Sequence, residues 1–194
     1  MGNAGTGVRA AAYSHDQYRS AALAQTCMDG ELDRLAQSDP GARPALVLDV
    51  DETSISNYWY MLTQPNLSAH SMNPGQELGQ DPVIKPTLEL FNHAKSRGVS
   101  VFFISHRPQD QQKVTRSNLK LAGYRGYRKL YLSPPNAPTH AGEFKTQTRK
   151  AIQAEGYTLV ANVGDQFSDL NTADGKPDSP CSTKYPNPYY FIAW

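Results

Sequence analysis

Two aspartates one residue apart follow a short apolar run, and they are the side chains of this 194-residue sequence best suited to chemistry. The apolar run 46–48 after Pro44 is typical of a buried parallel strand, which we predict to end at Asp49. Because side chains alternate along a strand, Asp49 and Asp51 are expected to point the same way beyond it. Two such carboxylates repel each other unless a cation lies between them, and Mg²⁺ prefers oxygen ligands. An exposed acidic turn is the alternative for an isolated D-x-D.

Further polar side chains suited to phosphate chemistry lie at the ends of later predicted strands. Ser105 follows a second apolar strand, and Asp165 follows a fourth, with Asp169 one helical turn later. Lys145 lies at the start of the helix that precedes the fourth strand. Open α/β sheets bind ligands beyond the carboxyl ends of their strands, so these side chains are expected to converge with the two aspartates.

The residue types in this order are suited to phosphoryl transfer. A phosphate monoester repels anionic nucleophiles, so its hydrolysis depends on positioning and charge neutralisation. Asp49 would attack phosphorus to form an acyl phosphate, and Asp51 would protonate the leaving alkoxide and later deprotonate water. The predicted metal-binding residues for Mg²⁺ are Asp49, Asp51, Asp165 and Asp169, with Asp51 contributing through a nearby backbone carbonyl. Ser105 and Lys145 would bind the equatorial oxygens of the transferred group.

Each of these residues also has an ordinary structural explanation. Ser105 could cap the following helix, Lys145 could be a solvated surface lysine, and Gly164-Asp165 could be a simple turn. Asp169 could hold Lys145 or a metal-bound water. The order of the residues along the chain, more than any one of them, predicts a phosphate site.

The elements that must position these residues alternate between helices and strands. The sequence predicts helices over residues 14–37, 86–97, 109–122 and 146–155. It predicts strands over residues 46–49, 99–104, 129–132 and 158–163, and an edge strand over residues 189–194. This alternation indicates an α/β fold with a mostly parallel sheet covered on both faces. The length predicts a single domain over residues 1–194.

Composition narrows the classes of partner. The formal net charge is +1 and no Lys/Arg-rich run is present, so a nucleic-acid polymer or an anionic membrane surface is not indicated. No apolar run is long enough to span a bilayer, and the polar start suggests a chain already trimmed of a signal peptide. Cys27 and Cys181 match no metal-binding spacing, so they form either a disulfide or two separate buried thiols.

Five segments resemble the haloacid dehalogenase (HAD) superfamily of phosphatases: residues 47–57 (VLDVDETSISN), 103–107 (FISHR), 144–149 (FKTQTR), 164–170 (GDQFSDL) and 185–190 (YPNPYY). The resemblance is greatest to the class B acid phosphatase branch, with plant acid phosphatases, vegetative storage proteins and bacterial lipoprotein acid phosphatases.

The resemblance implies a Rossmann-like sheet with a small cap inserted after the first strand, roughly over residues 54–82, and Mg²⁺ as the metal. It also implies a secreted or periplasmic location, with a cytoplasmic one still open, and it favours a Cys27–Cys181 disulfide. His106 departs from the pattern, because a smaller polar residue such as Asn is expected there. The cap region matches no single relative.

The predicted substrate is a small phosphate monoester, with a nucleoside monophosphate or another aromatic phosphate as the first hypothesis. Tyr58 and Trp59 could stack on a flat ring or could instead pack the cap onto the sheet. Arg107 could bind phosphate or the leaving group, or could form a surface ion pair. His106 could contact substrate or could be a hydrogen-bonded structural histidine.

Three functions compete at this point. The first is an Mg²⁺-dependent phosphomonoesterase with Asp49 as nucleophile. The second is a non-catalytic phosphate-binding or storage protein on the same fold. The third is a signalling receiver domain, which places its acidic pair and its phosphoacceptor on different strands. The sequence leaves the physiological substrate, the pH optimum, the oligomeric state and any phosphotransferase activity open.

Overall fold

Five parallel strands form the centre of the computed structural model, which describes residues 4–61 and 73–192. The strands are β1 (Pro44–Leu48), β2 (Ser100–Pro108), β3 (Lys129–Ser133), β4 (Thr158–Gly164) and β5 (Cys181–Lys184). Their order in the sheet is β3-β2-β1-β4-β5. The strand that carries the D-x-D motif is therefore the central one.

Helices cover both faces of the sheet, which confirms the predicted α/β fold. They are α1 (Ala4–Ser38), α2 (Tyr58–Met61), α3 (Asn73–Leu78), α4 (Lys85–Ser96), α5 (Gln112–Leu121) and α6 (Ala141–Ala154). Two 3₁₀ helices, Gln109–Gln111 and Phe167–Asp169, follow β2 and β4. Among the described residues, no helix combines the length and the apolar character that crossing a membrane would require.

Side chains of β1 alternate between two hydrophobic layers, as a strand buried on both faces requires. Leu46 and Leu48 belong to the layer formed with α1 and α4, whereas Ala45 and Val47 belong to the layer formed with α6. Continuing this alternation by one step points Asp49 toward α6, the helix that carries the lysine predicted for the site.

A disulfide joins the first helix to the last strand. Cys27 of α1 and Cys181 of β5 are bonded, with their Cα atoms 5.7 Å apart. This confirms the pairing that the family resemblance favoured. The helix α1 packs along β4, β5 and α4. The disulfide therefore holds α1 against the β5 edge of the sheet.

Two element predictions were wrong. Residues 189–192 form no strand, while residues 193 and 194 lie outside the described part of the chain. The edge strand is instead β5, which pairs with β4 from Ala161–Cys181 to Gly164–Lys184. The helix predicted over 146–155 begins earlier, at Ala141, so Lys145 lies inside it rather than at its start.

The cap predicted over residues 54–82 is described in part, since residues 62–72 lie outside the described ranges. The described portion contains the short helices α2 and α3. The helix α3 packs against α5, and the Asn118 side chain donates a hydrogen bond to the Asp81 carbonyl oxygen at 3.1 Å. This segment therefore returns to the sheet beside the strand end of β2.

Candidate active site

Asp49 and Lys145 form a buried ion pair at the carboxyl edge of the sheet. Lys145 Nζ donates to Asp49 Oδ1 at 2.7 Å, and both side chains are almost fully buried. Burial raises the pKa of Asp49 well above its usual value, with the nearby Asp169 and Asp165 adding to the shift and Lys145 opposing it. Burial alone would lower the pKa of Lys145, but the charges of Asp169 and Asp49 raise it overall. Lys145 is thus a permanent cation in the site.

The segment after β4 brings two further carboxylates to the same place. Lys145 Nζ also donates to Asp169 Oδ1, and Asp169 Oδ2 accepts from the backbone N–H of Gln166 at 2.8 Å. Asp165 Oδ2 accepts from the side-chain amides of Gln166 (2.5 Å) and Asn187 (2.6 Å). Burial, reinforced by the charge of Asp169, raises the pKa of Asp165 to about 6.

The carboxylates of Asp49, Asp165 and Asp169 fit a divalent cation. One oxygen from each lies within 4.8 Å of the others, and all three residues are buried. The donor set is purely carboxylate oxygen, which suits a hard ion such as Mg²⁺. Three clustered carboxylates exceed the one positive charge of Lys145, and this excess raises the cost of leaving them all ionised. Asp51, the fourth predicted ligand, has its side chain outside this cluster.

Asp51 faces a different set of partners. Arg107 donates from Nη2 to Asp51 Oδ1 at 2.6 Å and from Nε to Oδ2 at 2.9 Å. Oδ1 also accepts from the Asn57 amide at 2.7 Å and from the Gln76 amide at 3.3 Å, and Oδ2 accepts from Ser105 Oγ at 3.4 Å. Burial would raise the pKa of Asp51, but the charge and hydrogen bonds of Arg107 outweigh it and lower the pKa.

Arg107 is therefore a buried partner of carboxylates and not a surface ion pair. Its guanidinium also reaches Asp81 Oδ2 at 3.3 Å and Thr115 Oγ1 at 3.2 Å. Burial raises the pKa of Asp81 to about 6, partly offset by Arg107. Arg107 also lines the pocket. Its contact with substrate remains a prediction.

Ser105 lies inside β2, which continues to Pro108, so the alternative that it caps the next helix is wrong. Its Oγ accepts from the Arg107 backbone N–H at 3.2 Å, which aims the hydroxyl at the pocket side of the strand. His106 also lines the pocket and lies 6.0 Å from the Phe144 ring, measured between centroids. Burial lowers the pKa of His106, and a hydrogen bond with the Pro138 backbone opposes the shift.

These side chains surround one pocket of about 80 Å³ at the carboxyl edge of the sheet. Seven of the residues predicted for catalysis, substrate binding or metal binding line it: Asp49, Asp51, Ser105, His106, Arg107, Lys145 and Asp165. Asp169 lies behind it against Lys145. The lining combines two cations, Arg107 and Lys145, with the carboxylates of Asp49, Asp51 and Asp165.

Tyr58 and Trp59 lie elsewhere. They line a second pocket beside α1, together with Tyr13, Tyr18 and Tyr189, and Trp59 is 68% exposed. Tyr58 packs against both Trp59 and Tyr189, with ring centroids 5.5 and 5.3 Å away. This packing agrees with the structural alternative, and a role in binding substrate stays a prediction.

The pocket or pocket-supporting residues that were missed from the sequence include Asn57, Gln76, Asn187 and Tyr190. Gln76 and Tyr190 line the pocket, while Asn57 and Asn187 hold Asp51 and Asp165. Burial and the surrounding carboxylates, Asp165 first, raise the pKa of Tyr190. Asn57, Asn187 and Tyr190 lie in segments 47–57 and 185–190, on which the family resemblance rests. The resemblance could therefore have indicated these three residues. Gln76 lies in the weakly periodic cap segment and carried no signal.

The sequence over residues 6–193 matches the family described as HAD superfamily, subfamily IIIB (acid phosphatase). Acid phosphatase 1 of Solanum lycopersicum is 32% identical over 169 residues, which are 84% of this chain and 65% of that protein. The stem 28 kDa glycoprotein of Glycine max is 39% identical over 59% of this chain and 45% of its own length. Vegetative storage protein 1 of Arabidopsis thaliana is 29% identical over 75% of this chain and 54% of its own length.

Among solved structures, the chain is similar to the class C acid phosphatase from Bacillus anthracis. The TM-score is 0.74 at 20% identity, covering 92% of this chain and 79% of that one. At this identity the likeness shows the fold. The chain spans about half of the length of the Glycine max and Arabidopsis relatives and 65% of the tomato protein.

Proposed function

Because the chain belongs to subfamily IIIB of the HAD superfamily, the acid phosphatases, we propose that it is an Mg²⁺-dependent acid phosphatase. It would hydrolyse small phosphate monoesters through an aspartyl-phosphate intermediate on Asp49. One observation carries the proposal. Lys145 bridges Asp49 and Asp169 in a pocket that also holds Asp51 and Ser105.

The first half of the reaction uses both aspartates of the D-x-D motif. A carboxylate oxygen of Asp49 attacks phosphorus, forming an O–P bond while the bond from phosphorus to the leaving oxygen breaks. Asp51 donates a proton to the leaving alkoxide, which departs as an alcohol. The Lys145 ammonium and the Ser105 hydroxyl donate to the phosphoryl oxygens as negative charge shifts onto them.

The second half regenerates the site. Asp51, now a carboxylate, removes a proton from water, and the water oxygen attacks phosphorus of the aspartyl phosphate. The bond from phosphorus to Asp49 breaks, which releases inorganic phosphate and returns Asp49 as a carboxylate. Mg²⁺ held by Asp49, Asp165 and Asp169 would neutralise charge on the phosphoryl group and the carboxylates.

The charged lining of the pocket and the Cys27–Cys181 disulfide support two finer proposals. The named catalytic groups act on the phosphoryl group and on the leaving oxygen, so the rest of the leaving group can vary. Nucleoside monophosphates and other aromatic phosphates are the first substrates to test. The disulfide suits a secreted or periplasmic protein, because disulfides persist in oxidising compartments.

The test is release of inorganic phosphate from a panel of phosphate monoesters, with Mg²⁺ or with EDTA, for the wild type and Asp49→Asn. We expect Mg²⁺-dependent release that Asp49→Asn reduces by about 10³-fold or more, since it removes the nucleophile. Asp110→Asn is the matched control, because Asp110 is an exposed aspartate on the 3₁₀ helix after β2.

A trapped phosphoenzyme gives a second readout. Rapid acid quenching with a labelled phosphate ester should leave acid-stable, hydroxylamine-labile label on the wild type and none on Asp49→Asn. Phosphate binding without release from any ester would contradict the proposal and favour a storage or binding protein, the class to which some of the relatives belong by name.

A further inference from the structure

Glu52 lies directly behind the catalytic pocket and has an unusual backbone. The side chain is completely buried, and its φ of 53° falls in the left-handed region. An L-residue other than glycine is strained in this region, because its Cβ atom comes close to the backbone. Such strain persists only where surrounding contacts fix it, and it is common at functional sites.

The contacts of Glu52 fix the turn that follows it. Oε1 accepts from the backbone N–H of Asn57 at 2.5 Å, and Oε2 accepts from Ser56 Oγ at 3.2 Å. Oε2 also accepts from the Tyr13 hydroxyl of α1 at 3.3 Å. The Glu52 backbone N–H donates to the Ile55 carbonyl at 2.9 Å, which closes the turn. One buried carboxylate thus joins α1 to the loop after β1.

Asn57 connects this turn to the pocket. Its backbone N–H is held by Glu52, while its side-chain amide donates to Asp51 Oδ1 at 2.7 Å. Asp51 Oδ1 also takes its shortest bond from Arg107 and a longer one from Gln76, so this oxygen is surrounded by donors. Oδ2 accepts from Arg107 Nε at 2.9 Å and from the Ser105 hydroxyl at 3.4 Å. Glu52 does not line the pocket.

We propose that Glu52 is a positioning residue that acts through Asn57 to fix the orientation of the Asp51 carboxyl group. The inference rests on the proposed function, in which Asp51 transfers the proton to the leaving group. Moving that carboxyl by about 1 Å costs roughly 10²-fold in rate where proton transfer to the leaving group is required. Phosphate binding by Lys145 and Ser105 does not pass through Glu52.

The test compares Glu52→Ala and Glu52→Gln with the wild type on two substrates. The alkoxide that leaves from a simple alkyl phosphate needs a proton. The 4-nitrophenolate that leaves from 4-nitrophenyl phosphate is a stable anion and needs none. We expect Glu52→Ala to lower kcat by about 10²-fold for the alkyl phosphate and by less than about 10-fold for 4-nitrophenyl phosphate, with KM little changed. Glu52→Gln keeps an acceptor for Asn57 N–H and should recover most of the alkyl phosphate activity.

Loss of the fold would lower both rates equally, so an equal loss on the two substrates overturns the proposal. Glu89→Ala, which removes an exposed glutamate of α4, is the matched control and should change neither rate.

A second readout does not depend on activity. Amide hydrogen exchange over residues 51–57 should speed up in Glu52→Ala, while exchange over β1 stays at the wild-type rate. If the wild type hydrolyses neither ester, the phosphatase is refuted, but faster exchange over residues 51–57 in Glu52→Ala would still support the positioning of this loop by Glu52. Unchanged exchange over residues 51–57 would refute the positioning itself.

Discussion

The two buried cations of the site each contact two carboxylates. Lys145 contacts Asp49 and Asp169, and Arg107 contacts Asp51 and Asp81. Buried charges are tolerated only when they are paired and hydrogen-bonded, so these four acids need these two cations. The pairing also separates the D-x-D aspartates chemically, because Asp49 has a raised pKa and Asp51 a lowered one. The two aspartates of one motif therefore lie in different electrostatic environments in the metal-free protein.

The buried carboxyl of Glu52 makes the stability of the metal-free protein depend on pH. Burial raises the pKa of Glu52 to about 8, against an ordinary value of 4.5. The folded protein therefore holds this proton over a pH range where the unfolded chain has lost it. The stability from this group is complete below about pH 4 and is lost as the pH rises through about 8.

We expect the free energy of unfolding, measured with urea in EDTA, to fall by a few kcal/mol more in the wild type than in Glu52→Gln from about pH 5 to about pH 9. Glutamine has no charge in either state, so the difference between the two proteins isolates the Glu52 contribution. Parallel curves for the two proteins would show that Glu52 titrates normally.

At the scale of elements, β4 reaches the site only because it ends in glycine. A Cβ atom on Gly164 would lie 2.2 Å from Asp169 Cβ and 2.3 Å from Asp169 Cγ. No side chain fits there without displacing Asp169, which is itself held by Lys145 and by Gln166 N–H.

Gly164→Ala should therefore weaken Mg²⁺ binding by at least about 10-fold and destabilise the fold by about 1–3 kcal/mol. Isothermal titration with Mg²⁺ and urea unfolding measure the two effects. Gly30→Ala is the matched control, since nothing lies within 4 Å of a Cβ there and the residue is in α1. That control should be neutral or stabilising, by up to about 1 kcal/mol. Wild-type metal affinity in Gly164→Ala would show that Asp169 can move without consequence.

Arg149 ties the helix that carries Lys145 to the loop that carries Asp169. Its guanidinium donates to the carbonyl oxygens of Ser168 (3.2 Å), Asp169 (3.0 Å) and Asn171 (2.8 Å) and pairs with Asp178. The residue is 1% exposed and lies one helical turn after Lys145 in α6. A single buried arginine thus sets the register between α6 and the turn after β4.

The strands with a clear hydrophobic pattern were predicted from the sequence. The strand β5, which has no such pattern, was missed. The strands β1 to β4 contain apolar runs and all were predicted, although β2 ends at Pro108, four residues after the predicted end at residue 104. The strand β5 contains Ser182, Thr183 and Lys184 and buries only Cys181, so as a polar edge strand it has no alternation to recognise. The aromatic run after Pro188 has the composition of a strand, but its backbone serves the site instead: the N–H groups of Tyr189 and Tyr190 donate to Asn187 Oδ1.

The site residues that follow strands could be predicted from the sequence. The residues that reach the site only by pairing with another side chain could not. Asp49, Asp51 and Asp165 follow from their places just after strands, whereas Ser105 was predicted to follow a strand and instead lies inside β2. The partners of Arg107 could not be predicted, because Asp81 is 26 residues away in the chain and no periodic pattern connects them. Gln76 was missed for the same reason.

At the scale of the whole molecule, the Cys27–Cys181 bond joins residues 154 positions apart. A crosslink over so long a segment restricts the unfolded chain strongly, which stabilises the folded protein by about 2–5 kcal/mol. We expect Cys27→Ser/Cys181→Ser to lower the free energy of unfolding in urea by this amount. The wild type in reductant should match the double variant. Equal unfolding midpoints for the oxidised wild type and the double variant would show that helix packing alone holds α1 against β5.

The central position of β1 also has a consequence for the order in which the protein assembles. Both neighbours of β1 are made later: β2 begins at Ser100 and β4 at Thr158. During synthesis one edge of the apolar strand therefore stays unpaired until β4 has been made, and exposed apolar strands of this kind favour aggregation. Asp49, the proposed nucleophile, is made early but meets Lys145 and Asp169 only late. Recovery of activity after refolding would report the completion of the whole sheet rather than of any local part.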